Sequence, residues 1–148
     1  MAFHFTLKGL LRLRQSLERA ELQKLQAIVG AVAQARAEIA AVEEEIAGRR
    51  RAFQSLVTVG VAAAEWHFEM AREASLRALQ SELLKKLADL EEKRKQQQAR
   101  YVQAHRQREI LSNLRERQLA AYELEEARRA QQRIDELFLI RTISSAGK

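Results

Sequence analysis

Three histidines, His4, His67 and His105, are the side chains best suited to bind a metal or move a proton near neutral pH. No two of them stand at a metal-ligand spacing. His67 lies between Glu65 and Glu69. Those glutamates are four apart and share a helical face, but residues two apart diverge, so the imidazole points away from both. His105 and Glu109 stand at i,i+4 and form a surface pair at most. The run Glu43-Glu44-Glu45 describes a solvated face. Asp135 and Glu136 are adjacent, and adjacent side chains on a helix diverge, so they do not make an acid pair. The sequence has no glycine-rich phosphate loop and no serine in a nucleophile elbow. It has no cysteine, which removes disulfides, thiolate metal sites and thiol nucleophiles, and fits a reducing compartment. We therefore expect no enzymatic activity, no catalytic or metal site, and no cofactor.

The elements that carry these residues are long helices. Charged residues make up 31% of the 148, aromatics 5%, with five glycines and no proline. Ala, Glu, Leu, Arg and Gln dominate, and each loses little side-chain freedom in a helix. Such a mixture with helical periodicity marks long helices or coiled coils. The apolar fraction of 47% recurs in register, which argues against disorder.

Leu25, Ile28, Val32, Ala35, Ile39, Val42 and Ile46 step by alternating threes and fours, a heptad seam. The next steps land on Arg49, Phe53 and Leu56. Upstream, Leu10, Leu13, Leu17 and Ala20 form a second run on the same step, out of phase with the first. This predicts a slip between Glu21 and Lys24 that changes the supercoil locally. Val57-Thr58-Val59-Gly60-Val61 gathers poor helix formers in one place, so the turn falls there. Beyond it, Leu76, Leu79, Leu83, Leu87 and Leu90 resume the spacing, Arg94 and Gln97 bring polar groups to the seam, and Ala127, Ala130, Ile134 and Leu137 close it.

The expected fold is all-α: a long antiparallel two-helix coiled coil, a helical hairpin whose second helix is longer than its first. As a single coiled-coil domain, helix one covers about 4–57, the turn about 58–62, helix two about 63–141, and a frayed tail about 142–148. Folding at Gly60 sets Ile39 near position 81 and Leu10 near position 110. About 25 residues at the end of helix two are then left without a partner in the chain. They include Ile134, Leu137, Phe138, Leu139 and Ile140, an apolar stripe that calls for a binding partner.

The formal net charge of +6 permits nucleic acid, anionic lipid or an acidic protein surface as partner and selects none of them. Arg49-Arg50-Arg51 fan around a helix and make a poor single binding face, so they are expected to be a solubilising turn. Trp66, Phe68 and Met70 follow the turn, where packing on Phe53 and Leu56 or an exposed aromatic platform are both open. No run of roughly 18 uninterrupted apolar residues occurs, so no transmembrane helix is expected. Lys8, Arg12 and Arg14 interrupt the N-terminal apolar stretch and argue against a secretory signal.

Phe3-His4-Phe5-Thr6-Leu7-Lys8-Gly9-Leu10-Leu11-Arg12-Leu13-Arg14, followed by Glu18 and Ala20, resembles the opening of the flagellar export protein FliJ family: Phe-x-Phe-x-Leu, a Leu-Arg pair, then a Glu. Arg115, Tyr122, Glu125, Glu126, Asp135 and Glu136 resemble the basic, tyrosine-containing close of these proteins. Gly9 departs from a good helix start. The resemblance implies a soluble component of the type III export apparatus, cytoplasmic and peripheral on the inner face of the inner membrane at the flagellar base. It implies a non-enzymatic stalk or adaptor that binds the hexameric export ATPase and the cytoplasmic domain of the export gate, with export chaperones as further partners. By position, Phe3, Phe5, Leu7, Leu10, Arg12, Arg14, Arg115, Tyr122, Asp135, Glu136 and Leu137 are expected toward the ATPase, and Phe53, Trp66 and Met70 toward the gate. A generic coiled-coil scaffold and a nucleic-acid-binding coiled coil are the alternatives, although interspersed glutamates speak against any specific nucleic-acid face.

Overall fold

The computed structural model describes residues 2–147. Helix α1 spans Lys8–Val57 and helix α2 spans Ala63–Ala146, 50 and 84 residues, with no strand among the described residues. The fold is an all-α helical hairpin with the second helix the longer. Packing divides it into two units, one of Met1–Glu18 with Gln103–Lys148 and one of Arg19–Val102.

The second of these units holds the aliphatic seam. Val32, Ala35, Ile39, Val42 and Ile46 on α1 are buried, and Leu76 on α2 is buried against Val42 and Ile46, with Leu83 packed on the same cluster. Their spacing puts one residue in the contact every three or four positions, which is what a helix pair needs to bury a continuous stripe. Ion pairs and amide contacts flank the stripe and run antiparallel: Arg36 meets Glu91, Gln80 donates to Glu43 at 3.1 Å, and Arg50 donates to Glu73 at 2.6 Å. Leu79 and Leu56, placed on the seam by the leucine spacing, are exposed, and the half-buried Gln80 stands beside Leu79 on the inner face instead. By length and composition alone α1 would also pass as a membrane-spanning helix, contrary to the expectation from uninterrupted apolar runs. Val32, Ala35, Ile39 and Val42 lie in the buried seam, and 22% of the most apolar stretch of the helix is buried.

The connection occupies residues 58–62. Val59 N and Gly60 N both donate to Leu56 O, at 3.1 and 3.2 Å, and Gly60 takes a φ of 106°. This is a helix end closed by a glycine in the left-handed region, where a Cβ would be strained. Thr58 Oγ1 donates to Ser55 O at 2.7 Å and satisfies another terminal carbonyl. Helix α2 begins with Trp66 N donating to Ala62 O, and Glu65 in its first turn favours the positive end of the helix dipole.

The other unit differs from expectation at three points. Helix α1 starts at Lys8, not near residue 4, because Phe5 turns inward and is 3% exposed, and Lys8 N closes a turn onto Phe5 O at 3.2 Å. No slip interrupts the seam. Stepping back from Leu25 by four, three, four and three reaches Glu21, Glu18, Arg14 and Leu11, and those are the residues turned inward, Leu11 being buried. Leu10, Leu13 and Leu17 face outward. Helix geometry fixes the phase once a long aliphatic segment has set it. Re-phasing three leucines would need an inserted stutter that nothing in the backbone provides. Finally, α2 continues to Ala146, through positions expected to fray. Thr142 Oγ1 bonds Phe138 O and Ser145 Oγ bonds Thr142 O, both at 2.9 Å, so these hydroxyls satisfy carbonyls within the last turns of the helix.

Candidate partner-binding surfaces

Turning the leucines outward leaves polar groups in the contact between α1 and α2. Arg14 Nη1 donates to Gln107 Oε1 at 2.7 Å. Glu18 accepts from Arg108 Nε at 2.5 Å, and its other oxygen lies 3.1 Å from His105 Nδ1. The Arg108 hydrogen bond, with that of His105 beside it, holds the Glu18 carboxyl below its ordinary value of 4.5 despite partial burial. In the unit of Arg19–Val102 the buried Gln97 amide donates to Glu21 O at 3.1 Å and also to the Glu21 carboxylate, whose pKa it lowers. No buried side-chain nitrogen or oxygen among the described residues lacks a partner, so the polar seam is satisfied. Such a layer adds less stability than aliphatic packing, and it selects register, because each donor has one acceptor within reach.

The displaced apolar surface is the structural counterpart of that layer. Leu10, Leu13 and Leu17 make an outward stripe on α1, with Leu13 at 53% exposure. A second surface lies beyond Tyr122, whose ring meets Phe3 at a centroid distance of 5.6 Å. Beyond that ring contact α2 continues to Ala146. Ile134, Leu137, Phe138, Leu139, Ile140 and Ile143 there are all exposed, Leu137 at 62%. A third surface follows the turn, where Phe53 and Trp66 stack at 5.2 Å with rings tilted by 56°, Met70 lines the cleft beside them, and Phe68 is exposed.

The sequence-predicted residues distribute over these surfaces unevenly. Phe5 is internal packing, and Phe3 and Tyr122 bind each other while half-exposed. Arg14 is held by Gln107. Leu7, Leu10, Arg12, Arg115, Glu136 and Leu137 are exposed, as is Asp135, which accepts from Gln131 at 2.8 Å. Phe53 is half-buried, whereas Trp66 and Met70 are more open. Leu13 and Leu17 were missed as surface residues, and so was the Glu18–His105–Arg108 cluster. Extending the phase of the aliphatic seam upstream would have turned the leucines outward and brought Glu18 inward. The consecutive arginines are not a free basic patch: Arg49 pairs with Glu45 and Glu69, Arg50 with Glu73, and Arg51 with Glu44. Among the described residues no group of three His, Asp or Glu could hold a metal ion.

Two helices joined by one tight turn, with apolar stripes left on their outer faces, define a helical-hairpin coiled-coil protein. The chain belongs to the Flagellar FliJ protein family, which it matches over residues 3–147, and membership makes it a component of the flagellar export apparatus. No curated protein and no solved structure matches it.

Proposed function

We propose that this chain is a non-enzymatic stalk and adaptor of the flagellar type III export apparatus, which binds the hexameric export ATPase through the unit carrying both termini. The observation behind this reading is the outward leucine stripe, Leu10, Leu13 and Leu17, together with the uncovered end of α2 around Leu137. Apolar side chains of this size at a helix surface are the material of interface cores. Leu7, Leu10, Arg12, Arg115, Asp135, Glu136 and Leu137 contact the ATPase directly. Arg12 and Arg115 meet acidic loops, which favours encounter and register more than affinity. Phe3, Phe5, Tyr122 and Arg14 act by shaping this end, since their side chains are engaged within it. The export gate meets the region of Phe53, Trp66 and Met70, and export chaperones are further partners. The protein then acts in the cytoplasm, peripheral to the inner membrane at the flagellar base.

The test is a pull-down with the export ATPase of the same organism, with the ATPase rate recorded alongside. Three chains are compared: the full chain, one truncated after Leu119, and one carrying Leu13→Gln with Leu17→Gln. The full chain is expected to bind and stimulate, the truncation to do neither, and the double variant to bind at least tenfold more weakly. Failure of the full chain to bind at low and moderate salt removes this reading.

A further inference from the structure

The uncovered end of α2 has an internal order that the stalk reading does not use. Glu123, Ala127, Ala130, Ile134, Leu137 and Arg141 are spaced by alternating fours and threes and therefore share one face of the helix. That face carries a negative charge at one end and a positive charge at the other. Between them two alanines precede two large aliphatic residues. The arrangement is complementary to itself when reversed. Laid antiparallel on a second copy, with the two-fold axis between Ala130 and Ile134, each Ala130 faces Ile134 and each Ala127 faces Leu137. Small residues then meet large ones, and the helices keep an even separation. Each Glu123 comes opposite Arg141. A parallel arrangement does the reverse: Glu123 meets Glu123, Arg141 meets Arg141, and alanine meets alanine.

We infer that residues 123–141 form an isologous interface with a second copy of this chain, an antiparallel helix pair closed by reciprocal Glu123–Arg141 contacts. Ile134 and Leu137 are more than half exposed in the single chain and have apolar surface to lose on pairing. The symmetry requires each contact to occur twice, which doubles the effect of every change. This inference does not rest on the stalk reading. The self-pair occupies the same end of α2 that the ATPase would take, so it describes a state of the protein before that partner is met.

Sedimentation equilibrium of the full chain from roughly 1 to 100 µM tests it with no other protein present. The mass is expected to rise from 17.0 kDa toward twice that value with concentration. Glu123→Arg alone and Arg141→Glu alone each put like charges opposite one another twice, and each should weaken the dimer roughly tenfold. The double variant restores opposite charges in exchanged positions and should restore the dimer. Both positions are exposed at the surface, so folding, checked by circular dichroism, should be unchanged. A single-chain mass at every concentration overturns the inference. A dimer indifferent to the single exchanges, or a double variant as weak as either single one, overturns it as well.

Discussion

One stretch of the α1–α2 contact is aliphatic and another is polar, although the same helices make both. In the unit of Arg19–Val102, Val32, Ala35 and Ile39 are buried, and Val42 and Ile46 close on Leu76 with Leu83 packed beside them. In the unit of Met1–Glu18 with Gln103–Lys148, Arg14 and Glu18 occupy the equivalent inward positions and meet Gln107, His105 and Arg108. Burial of aliphatic groups contributes stability in proportion to area and tolerates small shifts along the helix. Hydrogen-bonded charges contribute less net stability but penalise every wrong register, since a shift strands a charge. The leucines that could have strengthened the polar stretch lie outside it, on the exposed face of α1. Division of labour along one helix pair is the lesson: one part holds the hairpin closed, and the other fixes its register and keeps its apolar surface in reserve.

The largest expected effect comes from bringing the polar character into the aliphatic stretch. Val42→Glu buries a carboxylate among Ile46, Leu76 and Leu83 with no partner designed for it. The cost should be about 3 kcal/mol or more, read as a fall in melting temperature and helicity by circular dichroism. Ile39→Ala should cost about 2 kcal/mol at a neighbouring seam position, through lost burial and the space left behind. If neither changes the melt, the seam has been assigned to the wrong face.

The reverse experiment removes polar character from the other unit and should have a smaller effect. Glu18→Ala leaves Arg108 and His105 without their shared acceptor in a contact that solvent still reaches, at a cost of about 1 kcal/mol. Glu18→Leu combined with Arg108→Leu removes the pair rather than breaking it, and should match or exceed the parent in urea midpoint. A double variant less stable than Glu18→Ala would mean that the layer is a net source of stability, and the comparison would lose its basis.

Acid sharpens the comparison further. Arg108 and His105 lower the Glu18 pKa, Gln97 lowers that of Glu21, and Arg50 with Arg77 lowers that of Glu73, each from an ordinary value of 4.5. A carboxyl whose folded pKa lies below its unfolded one favours folding while both states are ionised. That contribution is full above about pH 4.5 and disappears as the pH falls through the lower, folded value. Urea midpoints should therefore drop below pH 4.5, and Glu18→Gln should flatten part of that drop. A variant with the same acid profile as the parent would show that Glu18 is not one of the groups responsible.

The legible and illegible parts of this fold have physical reasons. The hairpin, its turn and the seam from Leu25 to Ile46 could be read because β-branched residues and a glycine gather between Val57 and Val61 and apolar residues keep strict spacing along the seam. Gln97 could be placed in the seam by the same spacing, and it is 5% exposed. The phase upstream was misread because local apolarity was given more weight than continuity of the helix: Leu10, Leu13 and Leu17 look like a core and Arg14, Glu18 and Glu21 do not. Whether a charged residue can sit inward depends on a partner across the contact, and His105 and Arg108 are some ninety residues away in sequence. The α2 end was misjudged for a related reason, since serine and threonine favour helix ends by composition but here back-bond to the preceding carbonyls. The candidate contact residues follow from position in a family pattern. Position alone does not separate Phe5, which is packed inside, from Leu10, which is not.

The smallest effect on folding is expected where the comparison matters most for function. Leu13→Gln with Leu17→Gln changes two leucines that a reading by apolarity would place in the core. A core pair of this kind would cost several kcal/mol, roughly 2 to 5 for each leucine cut back. On the outward face the helix loses no intramolecular packing of that scale, and glutamine has a helix propensity close to that of leucine. The melting curve of the double variant should therefore follow the parent within about 0.5 kcal/mol. A large loss of stability would put the leucines back in the seam and turn Arg14 and Glu18 outward, which contradicts the Arg14–Gln107 and Glu18–Arg108 contacts directly. An unchanged melt together with lost ATPase binding would separate the two roles completely, because the same side chains would then matter to a partner and not to the fold.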